Sequence, residues 1–188
     1  MRLFLAVDPD PAARRLLSEH LSTLRAALGD ASSVVRWTRP ENVHVTLHFL
    51  GEVGSDRVDD LRRALGGEVG VGRFDLATGG FGAFPARGIP RTLWLAIETG
   101  RDRLVDLHRQ LAHRLAAAAA PVSDKPLAAH VTFGRVRDRA RHRAAGIPDV
   151  LARLDAEPIH WTVDRVTLYA SDLSGPAPRY QPVHVIHL

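Results

Sequence analysis

His-Val-Thr occurs twice in this chain, in HVTLHFLG at residues 44–51 and in HVTFGRV at residues 130–136, each inside a run rich in β-branched and aromatic residues. On a strand, residues two apart share a face. His44 and Thr46 therefore point one way and Val45 and Leu47 the other; His130 and Thr132 repeat this with Val131 and Phe133 behind them. A strand of this pattern must bury one face and present imidazole and hydroxyl on the other. Two such strands, 86 positions apart, demand a fold with two similar halves that can bring both polar faces to one place.

The rest of the chain supports a duplicated layout. Arg2–Val7 reads as a strand, and Pro9 and Pro11 open a helix to about Leu28, with leucines at helical spacing and Gly29 as the stop. Val34–Trp37 reads as a short strand, Pro40-Glu41-Asn42 as a turn, and His44–Leu50 as a strand ending at Gly51. Ser55 is expected to cap a second helix carrying Val58, Leu61 and Leu65, closed by Gly66-Gly67. Two strands follow, at about 73–78 and 92–98, and the Gly- and Pro-rich GGFGAFPARGIPR between them reads as an irregular loop. A helix from about Arg101 to Ala119 then leads through a proline-bounded loop to the strand Ala129–Val136. A weaker helical region extends from Arg137 to about Leu154, and strands at Ile159–Ala170 and Val183–Leu188, separated by a loop with Pro176 and Pro178, complete the pattern. The order predicts an α+β fold: two pseudo-symmetric lobes of mainly antiparallel sheet, helices outside, a central cleft, and one bilobal domain over residues 1–188.

Composition narrows the chemistry. With no cysteine, disulfides, thiol nucleophiles and cysteine-ligated metal sites are excluded. A hydrophobic fraction of 45% suffices for a core. The apolar run in MRLFLAVDPD is short and interrupted by Asp8 and Pro9, so a first strand is expected rather than a signal peptide, and the protein is expected to be cytoplasmic, monomeric and not membrane-bound. The net charge of +4 is almost wholly arginine, Lys125 being the only lysine, and is compatible with a polyanionic partner. The run RVRDRARHR at 135–143 reads either as the flank of a binding groove or as a solvated helix face.

Two histidines and two threonines facing one cleft suit displacement at a phosphodiester. One imidazole can accept a proton from the nucleophile while the other gives one to the leaving oxygen, since histidine titrates near neutrality. The hydroxyls can donate to the non-bridging oxygens as their charge grows. A metal site fits less well. His44 and His48 would lie roughly 13 Å apart along a strand at about 3.3 Å per residue, and neither motif carries an acidic third ligand. No metal and no cofactor are expected. His48 falls on the same face as His44 by strict alternation, as a cleft residue or a solvent-facing one.

The stretches VRWTRPENVHVTLHFLGEV and AHVTFGRV resemble the 2H phosphoesterase superfamily, and within it the bacterial and archaeal RNA 2′,3′-cyclic phosphodiesterases, also called 2′-5′ RNA ligases. The likeness extends through RLFLAVD, GGFGAFPARGIPRTLWLAI and VTLYASDLSGPAPRYQPVHVIHL. The resemblance implies that His44 and His130 are the catalytic pair, with His130 as general base and His44 as general acid. It implies that Thr46, Thr132 and Arg135 hold phosphate and that Phe49 stacks on the terminal base. Strict alternation sets both Arg135 and Phe49 on the face opposite the histidines. Gly134 is suited to a bulge that would re-aim Arg135, whereas Phe49 reads equally as core. The family's usual proline before the second motif is Ala129 here, and the usual leucine at 133 is Phe133.

The expected function is metal-independent hydrolysis of RNA 2′,3′-cyclic phosphate ends, tRNA fragments among them, to a 2′-phosphate, with 2′-5′ RNA ligation by the same constellation. The alternatives are a phosphodiesterase for small cyclic nucleotides or an ADP-ribose cyclic phosphate, and a non-catalytic module that binds RNA ends.

Overall fold

A computed structural model describes residues 1–122, 125–175 and 177–188; Pro176 and part of the loop before the second motif lie outside the described residues. The strands are β1 (Arg2–Val7), β2 (Val35–Trp37), β3 (Val45–Glu52), β4 (Phe74–Phe84), β5 (Thr92–Thr99), β6 (His130–Val136), β7 (His160–Val163), β8 (Arg165–Asp172) and β9 (Arg179–His187). The helices are α1 (Pro11–Ala27), α2 (Val58–Leu65), α3 (Arg101–Ala117) and α4 (Ile147–Leu151). All pairings are antiparallel, in the order β7-β4-β5-β6-β3-β1-β8-β9 with β2 added on β6. The α+β class expected from the sequence is the one observed, as a curled half-barrel of sheet with helices packed on it.

Each helix buries the stripe its spacing dictates. In α1, Asp10 accepts a hydrogen bond from the Ala13 amide at 2.8 Å, Pro11 occupies the first turn, and Ala13, Leu17, Leu21 and Leu24 face inward. In α3, Leu104, Leu107, Leu111 and Leu115 are fully buried. These leucines join Leu3, Leu5, Val45, Val131, Phe133 and Leu168 in one continuous apolar core against one face of the sheet. No helix among the described residues is long and apolar enough to cross a membrane.

Three expectations are corrected. GGFGAF is not loop: β4 runs through it. Its glycines permit close packing, because a Cβ on Gly82 would lie 2.1 Å from the Trp94 ring on the neighbouring strand. Ser55 makes no side-chain cap; it begins a short 3-10 turn that runs into α2. Finally, Ile159–Ala170 is two strands rather than one. The chain breaks at Asp164, with β7 pairing β4 at one end of the sheet order and β8 pairing β1 near the other. The halves are thus exchanged relative to the sequence. β4 and β5, which follow the first motif, assemble with the second; β8 and β9, which follow the second motif, assemble with β1 and the first.

Candidate active site

The two halves meet where the motifs lie. β3 and β6 join through the pair Val45 and Val131, both fully buried on the core face. Their flanking residues must then all emerge on the opposite face, and they do: His44, Thr46, His130 and Thr132 line one cavity of about 690 Å³. The antiparallel sense of that pair sets each histidine toward the threonine of the other strand.

Beyond the threonines, both strands break their alternation in the same way. In β3 the pairing with β1 skips Leu47, and Leu47 and His48 are both buried at 4% and 2% exposure. In β6 the pairing with β5 skips Phe133, and Phe133 and Gly134 both turn inward. Each bulge shifts the phase by one residue. Phe49 and Arg135, each five residues after its motif's histidine, consequently return to the cleft. The conflict between alternation and the expected roles of these two residues is resolved at both positions. Phe49 is not core; it is 65% exposed on the cavity wall. A Cβ on Gly134 would lie 2.5 Å from Val35 Cγ1, so the β6 bulge requires glycine where β2 packs over it. His48 is displaced by the same shift. It neither lines the cleft nor faces solvent but stacks on His108 of α3, with ring centroids 3.9 Å apart, and its Nε2 hydrogen-bonds to the His108 carbonyl at 2.8 Å.

The histidines are held by equivalent devices. Nδ1 of His44 lies 2.7 Å from the carbonyl of Asn42, and Nδ1 of His130 lies 2.6 Å from that of Ala128. A carbonyl only accepts, so Nδ1 carries the hydrogen in each, and in the neutral ring Nε2 is the free base directed at the cleft. His44 Nε2 is 3.0 Å from the Thr46 hydroxyl. Each ring also meets an aromatic edge-on: Tyr180 against His44 at 5.4 Å and Phe84 against His130 at 5.1 Å. Phe4 lies 5.0 Å from His44 and Trp94 6.2 Å from His130. Their apolar surroundings lower the pKa of both histidines, against the stabilising pull of the two backbone carbonyls.

The surroundings of the two rings differ in charge. Asp8 favours the charged form of His44, partly offset by Arg14 and by His130, whereas Arg135 disfavours the charged form of His130. Asp8 accepts hydrogen bonds from Tyr169 at 2.9 Å and Thr167 at 3.3 Å. Arg14 holds the His44 loop through the carbonyl of Glu41 at 2.9 Å, and Asn42 Nδ2 donates to the carbonyl of Pro178 at 2.8 Å. None of this support was evident from the motifs alone, since Asp8, Arg14 and Tyr180 come from distant segments; the DPDP turn and the lone PRYQP tyrosine gave no periodicity to read. Arg135 reaches Thr92 Oγ1 at 3.4 Å.

Comparison with known proteins points to one family of sequences and one fold. The profile of the 2′-5′ RNA ligase superfamily matches residues 7–175. An RNA 2′,3′-cyclic phosphodiesterase of Thermotoga maritima is 31% identical over 98% of this chain and 94% of its own length; one of Archaeoglobus fulgidus is 31% identical over 98% and 99%. Among solved structures, E. coli LigT complexed with 3′-AMP superposes with a TM-score of 0.74 at 26% identity, covering 100% of this chain and 97% of that one. TT0787 of Thermus thermophilus superposes with a TM-score of 0.73 at 25% identity, covering 100% and 98%.

Proposed function

This chain belongs to the 2′-5′ RNA ligase superfamily, and from that premise we propose that it hydrolyses RNA 2′,3′-cyclic phosphate ends to 2′-phosphates, using its own side chains and no metal. The observation that carries the proposal is the shared cleft of two imidazoles, each fixed by an Nδ1–H···O=C bond so that Nε2 addresses the same space as two threonine hydroxyls. The relatives named RNA 2′,3′-cyclic phosphodiesterases, at 31% identity over nearly the full chain, support the substrate class.

In the proposed reaction His130 Nε2 takes a proton from water as the water oxygen attacks phosphorus. The bond from phosphorus to O3′ breaks, and His44 gives the proton on its Nε2 to O3′. The 2′-phosphate and the 3′-hydroxyl are the products. Charge supports this division: the Asp8 carboxylate favours an imidazolium at position 44, and the Arg135 guanidinium favours a neutral ring at position 130. Thr46, Thr132 and Arg135 would hold the phosphoryl oxygens as charge develops there, and Phe49 would stack on the terminal base. A 5′-hydroxyl in place of water would yield a 2′-5′ linkage.

The test is turnover of an oligonucleotide ending in a 2′,3′-cyclic phosphate, in EDTA, with 2′- and 3′-phosphate products resolved. Wild type should give the 2′-phosphate, and His44→Ala and His130→Ala should each lower kcat by about 10²- to 10⁴-fold. Binding without turnover by wild type would instead identify a module for RNA ends.

A further inference from the structure

We propose that the cleft holds two phosphates at once: beside the place for the cyclic phosphate, Arg36 forms a subsite for the phosphodiester that links the terminal nucleoside to its 5′ neighbour, so that the preferred substrate is at least a dinucleotide. The inference rests on the reading above and deepens it.

Thr92 on β5, Arg135 on β6 and Arg36 on β2 are direct register partners, forming one row across three strands, and all three line the cavity. Like charges directly opposite on an antiparallel pair repel. Arg36 and Arg135 nevertheless stand in that relation on the cleft face. Among the described residues, none lining the cavity is acidic. Two other arginines of the lining have carboxylates nearby, Arg2 with Glu52 and Arg39 with Glu41, each at 3.8 Å. Among the described residues no carboxylate lies within ion-pair distance of Arg36 or Arg135.

Tyr180 lines the same cavity as this pair. Burial raises its hydroxyl pKa, while the charges of Arg135 and then Arg36 act in the opposite direction. Both guanidinium groups therefore bear on the wall of the cleft that also holds His44. One scissile phosphate beside Thr132 answers Arg135. Arg36 lies one strand further out, exposed on the short strand at the margin of the sheet, where it is placed to receive a second anion. In an RNA end the neighbouring anion is the preceding phosphodiester, and a planar guanidinium suits its two non-bridging oxygens. A mononucleoside cyclic phosphate has no group for that position.

The experiment compares two dinucleotides with 2′,3′-cyclic phosphate ends, one with a natural phosphodiester linkage and one with an uncharged methylphosphonate linkage. The readout is the ratio of their kcat/KM values in wild type, Arg36→Gln and Arg36→Lys. Wild type should favour the charged linkage by about 10- to 100-fold, the range for a hydrogen bond to a charged group. Arg36→Gln should bring the ratio near one, and Arg36→Lys should retain part of it. A wild-type ratio near one overturns the proposal. So does a ratio that survives Arg36→Gln, including the case in which both substrates slow equally because Arg36 serves the scissile phosphate. Failure of wild type to hydrolyse either substrate, both cyclic-ended, sinks the parent reading and the subsite with it.

Discussion

An imidazole whose Nδ1–H is committed to a carbonyl can exchange protons with a substrate only through Nε2, and here two rings are so constrained. Burial places both pKa values below the ordinary 6.5. For kcat/KM the base must be deprotonated, which sets the acid limb at the lower pKa. The acid must be protonated, which sets the alkaline limb at the upper one. Both lie under 6.5 in the free enzyme, so the pH profile of kcat/KM should be a bell with its maximum on the acid side of 6.5; a maximum above pH 7 would contradict the depressed values. Thr132→Val removes a donor without changing the shape of the strand. It should lower kcat by on the order of 10²-fold, with a smaller effect on ground-state binding, measurable by single-turnover kinetics.

The strands β3 and β6 show what a motif discloses and what it hides. Their location, their buried valines and the cleft-facing His and Thr pairs follow from period-two alternation, and all were legible in the sequence. The fate of the next three residues was not. A bulge inverts alternation without leaving a mark in hydrophobic pattern, and only Gly134 hinted at one. His48 read as a cleft or solvent-facing residue, and not as a buried one, because the phase shift at Leu47 is silent in sequence. GGFGAF looked like loop because glycine signals turns as readily as it permits a Trp94 ring to lie on a neighbouring strand. Gly134→Ala should destabilise the protein by about 1–3 kcal/mol in urea titration, as overpacking against Val35 does in a tight core. The stacked pair between β3 and α3 has its own signature. Burial lowers the pKa of His48, and burial with the charge of His48 takes His108 to about 4. The unfolded chain then binds more protons than the native state below pH 6.5. The pair's contribution is complete above 6.5 and is lost as pH falls toward 4, and the cleft histidines share the trend. Urea midpoints at pH 7 and pH 5 should differ less in a His48→Asn, His108→Gln double variant than in wild type.

Within the molecule as a whole, the cleft gathers Arg36 and Arg135, which among the described residues have no carboxylate within ion-pair distance. Association with RNA ends should therefore weaken with salt. Two neutralised phosphates imply a log–log slope for 1/KM of about −1.4 at about −0.7 per single-strand phosphate, and a methylphosphonate linkage should halve it. Chain connectivity has a different outcome. Because the path steps from β7 to β8 at Asp164, β8, which pairs β1, and β9 beyond it, which brings Tyr180 to His44, are synthesised after every other strand of the sheet. Until residues 165–188 emerge, β1 presents an unpaired edge. Its partner must then arrive from residues 165–172, a pairing of long sequence separation of the kind that slows folding. A nascent chain of this protein should thus depend on protection from aggregation until residues 165–188 have emerged, although most of its core leucines precede them.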